Sequence, residues 1–189
     1  MGKVNYSSEE DEKLWEAFRR GSEEVFSKIY KQHFPSLFNY GIKLCEDEDL
    51  VKDNLQELFL TIWKNRQNLG DAYSIRFYLL KSFKRKLLRA LKNHKRSLTN
   101  RIDENHYNFY FEFSVEAKEM DLERSQEQFL LLKNGINTLT SRQKEAIYLK
   151  FYNGLDYGEI AEIMSINIQS TRSLVYEGIK GLKNIFKKK

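Results

Sequence analysis

Apolar residues recur along most of the chain at three- and four-residue spacing, which is the period of an α-helix rather than a strand. Leu14, Trp15 and Phe18 share one stripe of a segment running from Glu10 to Arg20. Gly21-Ser22 interrupts it, and the Ser22 hydroxyl suits the cap of a second helix, which carries Val25, Phe26, Ile29 and Tyr30. Pro35 removes a backbone donor, so a kink or a break is expected there; Leu37, Phe38, Ile42 and Leu44 then resume the pattern. Residues 46–49 are all acidic and read as a loop entering a helix, with the acids near the positive end of its dipole. Val51, Leu55, Leu58, Phe59 and Ile62 line the core face of that helix. Asp53, Gln56, Glu57 and Leu60 fall on another face at i, i+3, i+4 and i+7. A further helix is predicted from about Ser74 to about Asn93, with Phe77, Leu80, Leu87, Leu88 and Leu91. Residues 10–95 thus form one all-helical unit.

The periodicity lapses over residues 96–125, which read as a linker. Five aromatics stand within seven residues there (Tyr107, Phe109, Tyr110, Phe111 and Phe113). That is odd for a free linker, and they either dock on a neighbouring domain or meet a partner. Residues 126–189 form a second helical unit. Phe129, Leu132 and Ile136 lie on one stripe. Thr140 and Gln143 form a T-x-x-Q capping box opening a helix with Ala146, Ile147, Leu149 and Phe151. Asn153-Gly154 is a stop signal, and Asp156 with Glu159 opens the next helix as D-x-x-E.

Composition narrows the class. The 189 residues are 41% hydrophobic and 14% aromatic, enough for packed cores, and the single proline favours long helices. One cysteine, Cys45, excludes an intrachain disulfide and a cysteine-based zinc site. No run approaches the roughly 18 apolar residues of a membrane span, and the first residues lack a signal peptide's apolar stretch. A soluble cytoplasmic protein without membrane insertion is expected. The net charge of +5 says less than its distribution. Between Lys81 and Arg101 stand nine basic residues and no acid; between Asp103 and Glu127, eight acids and two basic residues. Basic blocks suit a polyanion such as nucleic acid, although any single run is more often a solvated helix face.

Tyr157 to Gly178 carries the most information. Ile160, Ala161, Ile163 and Met164 make a short helix, Ser165-Ile166-Asn167 a turn, and Ile168 to about Leu182 a second helix capped by Asn167. This is a helix-turn-helix, with small Ala161 at the crossing and Ile166 at the corner. Gln169, Ser170, Arg172, Ser173 and Tyr176 occupy the outward part of its second helix, where they can reach base edges or phosphates.

LTSRQKEAIYLKFYNGLDYGEIAEIMSI and STRSLVYEGIKGLK resemble the fourth region of sigma-70 family RNA polymerase sigma factors, through Leu139, Arg142, Gln143, Leu149, Gly154, Tyr157, Glu159, Ile160 and Ala161. EEVFSKIYKQHFPSLFNYGIKLCEDEDLVKDNLQELFLTIWKN resembles their second region, with Asp53, Gln56, Glu57, Phe59 and Trp63 in the expected order. The two regions follow each other without a third, as in the extracytoplasmic-function (ECF) subgroup. The resemblance covers residues 22–95 and 126–186. It implies an all-α fold of two small helical domains joined by a linker: a region 2 bundle over 10–95 and a region 4 helix-turn-helix over 126–189.

It further implies a sigma factor that binds core RNA polymerase, at its clamp and flap, and directs promoter-specific initiation. Asp53, Gln56, Glu57 and Leu60 would meet the clamp. Tyr73, Arg76, Tyr78, Lys81, Lys84, Arg85 and Arg89 would engage and open the −10 element, where aromatics and cations suit unstacked bases. Gln169, Ser170, Arg172, Ser173, Tyr176 and Lys180 would read the −35 element. An anti-sigma factor is a further implied partner. The chain departs from the family pattern at Lys84-Arg85, at Arg89, at Leu174, at Glu177 and at Ser165, so promoter preference does not carry over. The acidic linker could imitate nucleic acid within polymerase channels. The alternative is a stand-alone helix-turn-helix regulator. An enzyme is not expected: His33, His94 and His106 lack metal-ligand spacing and no catalytic motif occurs. No cofactor, metal ligand or catalytic residue is assigned.

Overall fold

The computed structural model describes residues 8–96, 107–110 and 123–187. The chain divides into two compact units, one within residues 1–106 and one within 107–189. Among the described residues every regular element is helical, and no helix is long and apolar enough to cross a membrane.

The first unit contains α1 (Ser8–Arg19), α2 (Glu23–Leu44), α3 (Glu48–Lys64), a 3₁₀ turn over Arg66–Asn68, and α4 (Ile75–Arg96). Gly21, at φ +96°, ends α1 in a conformation that L side chains rarely adopt. Ser22 then caps α2 by accepting from Val25 N at 3.3 Å. Asp47 caps α3, its carboxylate accepting from Leu50 N at 2.9 Å. The core gathers Trp15 and Phe18, then Ile29, Leu37 and Tyr40, Val51, Leu55 and Phe59, and Ile75, Leu79, Phe83 and Leu87. Burial of these faces, not intrinsic propensity, holds such helices together. Gly41 permits the closest approach: a Cβ there would lie 2.7 Å from Val51 Cγ1 and 2.9 Å from the Phe83 ring.

Pro35 does not break its helix. α2 runs 22 residues straight through it. Pro35 is exposed, whereas His33, Leu37 and Tyr40 around it are buried. The lost hydrogen bond therefore falls on the solvent side, where water can satisfy the freed carbonyl, while core contacts hold the helix on the other side.

The second unit contains α5 (Glu123–Asn137), α6 (Ser141–Ile147), α7 (Tyr157–Met164) and α8 (Ile168–Lys187). Both expected capping boxes are present, Thr140 with Gln143 and Asp156 with Glu159. The helix opened by Thr140 does not continue regularly to Phe151. It widens after Ile147 into a π-helical turn over Tyr148–Tyr152, closed by Asn153 N donating to Tyr148 O at 3.1 Å. Tyr148 and Leu149 stay buried, while Phe151 and Tyr152 come to the surface. Phe151 is therefore not the core residue its spacing suggests. Gly178 lets α8 cross α6 closely, since a Cβ there would stand 2.6 Å from Ile147 Cδ1.

Residues 107–110 belong to this second unit. Phe109 is 2% exposed, with its ring centroid 5.6 Å from that of Tyr148. The Tyr107 hydroxyl hydrogen-bonds the carboxylate of Glu145, itself fully buried. Two of the five linker aromatics thus dock on the unit that follows them, whereas Tyr110 is exposed. Phe111, Phe113 and most of the acidic block lie outside the described residues.

Candidate nucleic-acid interface

In α8 the helical period separates two faces. Thr171, Val175 and Gly178 are buried; Gln169, Ser170, Arg172, Ser173, Tyr176 and Lys180 are exposed. Thr171 anchors the first turn by donating its hydroxyl to Asn167 O at 3.1 Å. Asn167 caps the helix, its Oδ1 accepting from Ser170 N at 2.7 Å. Ser165 makes the preceding turn at φ +53°, ψ +47°, the left-handed conformation in which glycine is unstrained. Arg142 of α6 donates to Met164 O at 3.3 Å, placing a cation at the negative end of the α7 dipole. The turn is thus held from both sides, and all six side chains predicted to meet DNA in this unit share the outward face of α8.

Aromatic rings hold several of the cations. The Arg172 guanidinium lies 5.8 Å from the Tyr157 ring centre and Lys150 Nζ 4.7 Å from it. Lys180 Nζ lies 5.8 Å from the ring of Tyr176, which is 63% exposed. Contacts of this kind are worth about 0.5–1 kcal/mol at exposed sites, so they bias the cations' positions without fixing them.

In the first unit the stripe Phe77, Lys81, Arg85 and Arg89 follows the i, i+4 spacing of α4. Arg85 and Arg89 are exposed, and Lys81 Nζ sits 5.4 Å from the Phe77 ring centre. Tyr73 precedes the helix and is 76% exposed. Arg76 is half-buried beside His33 and Asp11. Tyr78 is half-buried with its ring 4.9 Å from that of Trp15, and burial raises its hydroxyl pKa while its hydrogen bond to Ser82 acts the other way.

Lys84 departs from the expectation. It is 5% exposed, because it stands four residues after Leu80 and three before Leu87, on the buried stripe of α4. Its ammonium is withdrawn from the open cationic stripe. Phe83 is wholly core.

Asp53, Gln56, Glu57 and Leu60 are all exposed on one face of α3. Leu60 is among the few large apolar side chains open to solvent in this unit. Glu57 also pairs with Lys86 of α4 at 2.9 Å. Lys86 is the half-buried member of that pair and Glu57 the exposed one, so Glu57 remains open to a partner.

Sequence reasoning missed the contacts that hold residues 69–75, the segment leading into α4. Trp15 Nε1 donates to Gly70 O at 2.9 Å, Arg19 pairs with Asp71 at 2.6 Å, and Asp11 accepts from Ile75 N at 3.0 Å. Asp11, Trp15 and Arg19 lie at i, i+4 and i+8 on α1, so the signal was a spacing shared by residues of different chemistry. Burial raises the Asp11 carboxyl pKa, while the Ile75 amide and Arg76 oppose that rise. Among the described residues no group of three or more His, Cys, Asp or Glu could hold a metal ion.

Residues 129–182, from the middle of α5 into α8, match the family model described as Sigma-70, region 4. The ECF RNA polymerase sigma factor SigK of Mycolicibacterium vanbaalenii is 22% identical over 85% of this chain and 81% of its own length. SigM of Bacillus subtilis, also named an ECF RNA polymerase sigma factor, is 20% identical over 86% of this chain and 95% of its own. Among solved structures, the sigma factor RpoE bound to the anti-sigma factor NepR from Bartonella quintana superposes with a TM-score of 0.60. The identity is 19%, over 86% of this chain and 96% of that one. CnrH, solved with the cytosolic domain of CnrY, gives 0.59 at 14% identity over 94% and 97%. The matched region 4, the alignments to ECF sigma factors over about 85% of the chain and the shared all-helical fold make this chain similar to the ECF subgroup of the sigma-70 family.

Proposed function

We propose that this chain is a sigma factor that binds core RNA polymerase through the exposed face of α3 and carries it to promoters with −10 and −35 elements. The observation that carries the reading is one chain holding two different DNA-compatible faces. One is a cationic and aromatic face, at Tyr73 and along α4; the other is a polar helix-turn-helix face on α8. Asp53, Gln56 and Glu57 offer carboxylates and an amide to a basic helix of the clamp, around Leu60 as an apolar centre. Tyr73 and Phe77 offer ring faces to unstacked bases, and Lys81, Arg85 and Arg89 meet phosphates. Gln169, Ser170, Arg172, Ser173 and Tyr176 enter the major groove, with Lys180 on the backbone. The role is assembly, and the polymerase core supplies the phosphodiester chemistry. The RpoE structure, solved with the anti-sigma factor NepR, supports an anti-sigma factor as a further partner.

Charge reversal tests the first step. Asp53→Lys with Glu57→Lys should sharply reduce co-purification with core polymerase from the native host while far-UV circular dichroism stays unchanged. Equal recovery of core by the folded double variant would remove α3 as the contact. Equal binding of duplex DNA by the chain with and without core would favour a stand-alone regulator.

A further inference from the structure

Residues 69–74 form no helix or strand, so their backbone groups and polar side chains need partners from elsewhere. Helix α1 supplies them at three consecutive turns of one face. Asp11 receives the Ile75 amide, Trp15 donates to the Gly70 carbonyl, and Arg19 takes the Asp71 carboxylate. Ala72 and Ile75 are buried, and Tyr73 between them is the most exposed aromatic side chain described. A second set of contacts fixes the other end of the segment. The Arg66 guanidinium lies 4.3 Å from the Trp63 ring centre, donates to Trp63 O at 2.8 Å, and abuts the α1–α2 junction, 3.4 Å from where a Gly21 Cβ would stand. The Trp15 ring also touches Tyr78 on α4. One helix thus grips the segment before α4 and the first turn of α4 together.

We infer that α1 is a clasp, in which Asp11, Trp15 and Arg19 are positioning residues that hold residues 69–75 so that Tyr73 and Arg76 face the DNA. The inference rests on the proposed −10 role of those two side chains. Asp11 and Trp15 carry most of the effect, because their hydrogen bonds are partly buried, whereas the Arg19–Asp71 pair is open to water. Asp11 is N-terminal to α4 in space, so it both satisfies an orphan amide and complements the helix dipole. An Asn at position 11 would keep the accepting oxygen; an Ala would not.

The test uses the full chain, alone and with native-host core on a promoter mapped from its own transcription starts. In Asp11→Ala, amide exchange at residues 70–77 of the free chain should rise about 5- to 30-fold, the factor expected for a lost cap. Promoter opening, read by permanganate reactivity of unpaired thymines, should fall by a similar factor, with core co-purification unchanged. Asp11→Asn should restore both readouts. Arg19→Ala touches only an exposed pair and keeps the fold, and should move both readouts the same way by a smaller factor. Unchanged exchange in folded Asp11→Ala, or raised exchange with wild-type opening, would overturn the clasp. If the wild-type holoenzyme opens no promoter, the functional inference falls with the sigma-factor reading. The exchange data then still show whether α1 holds the segment, so the two failures are distinguishable.

Discussion

His33 offers a quantitative test of how α2, α4 and their charges are packed. It is 5% exposed. Burial, and secondarily the guanidinium of Arg76, lowers its pKa from 6.5 to about 4. The folded chain therefore refuses a proton that the unfolded chain accepts between those values. The stability tied to neutral His33 is fully present above about pH 6.5 and is lost as pH falls towards 4. Each pH unit within the window is worth about 1.4 kcal/mol, so the whole shift corresponds to about 3 kcal/mol. The two tryptophans of the chain, Trp15 and Trp63, both lie in the first unit, so their fluorescence reports that unit alone. Urea unfolding followed by tryptophan emission at pH 7 and pH 5 should show the wild type losing about 2 kcal/mol more than His33→Leu. The comparison removes the opposing contribution of Asp11, whose raised pKa favours the folded state as pH falls and which titrates in both proteins. Parallel pH dependences for the two proteins would refute the reasoning, because they would mean that His33 protonates as readily folded as unfolded.

Gly41→Ala should destabilise the first unit by about 1–2 kcal/mol in the same assay, because overpacking against Val51 and Phe83 outweighs alanine's helix preference; a net gain would show that the crossing can relax. Phe109→Ala should destabilise the second unit by about 3 kcal/mol or more, read by circular dichroism, and leave the tryptophan transition in place. An unchanged second transition would show that residues 107–110 rest on that unit without supporting it. Arg172→Ala should cost about 1–3 kcal/mol on a −35 duplex and relax specificity at one base position if the contact is bidentate; an equal loss on every sequence would mark a phosphate contact.

The features legible in the sequence were those written locally. Both capping boxes, the Ser22 and Asn167 caps and the exposed positions of α8 need only a few neighbouring residues to specify them, and the structure has them. So does the polar face of α3, because one helical period fixes which side chains share a side. The features that escaped depend on partners distant in the chain. The Asp11, Trp15 and Arg19 contacts span 52 to 64 residues. Tyr107 meets Glu145 across 38, and the Glu145 carboxylate reads as surface charge until that partner is seen. Lys84 reads as a surface cation by charge, but its depth is decided by sharing a helix face with buried Leu80 and Leu87. Pro35 was judged by the donor it lacks, although the burial of Leu37 and Tyr40 decides whether the helix survives. The π-helical turn after Ile147 has no composition signal of its own, and it alone separates buried Leu149 from exposed Phe151.

The most direct measurement of the central claim is in-vitro transcription with purified native-host core polymerase on fragmented host DNA, with sequencing of the 5′ ends. A sigma factor predicts discrete starts that appear only when this protein is added, sharing sequence near −10 and −35, and lost with the Asp53→Lys, Glu57→Lys double variant. The same set of starts with and without the protein, from core that retains it through purification, would contradict the account.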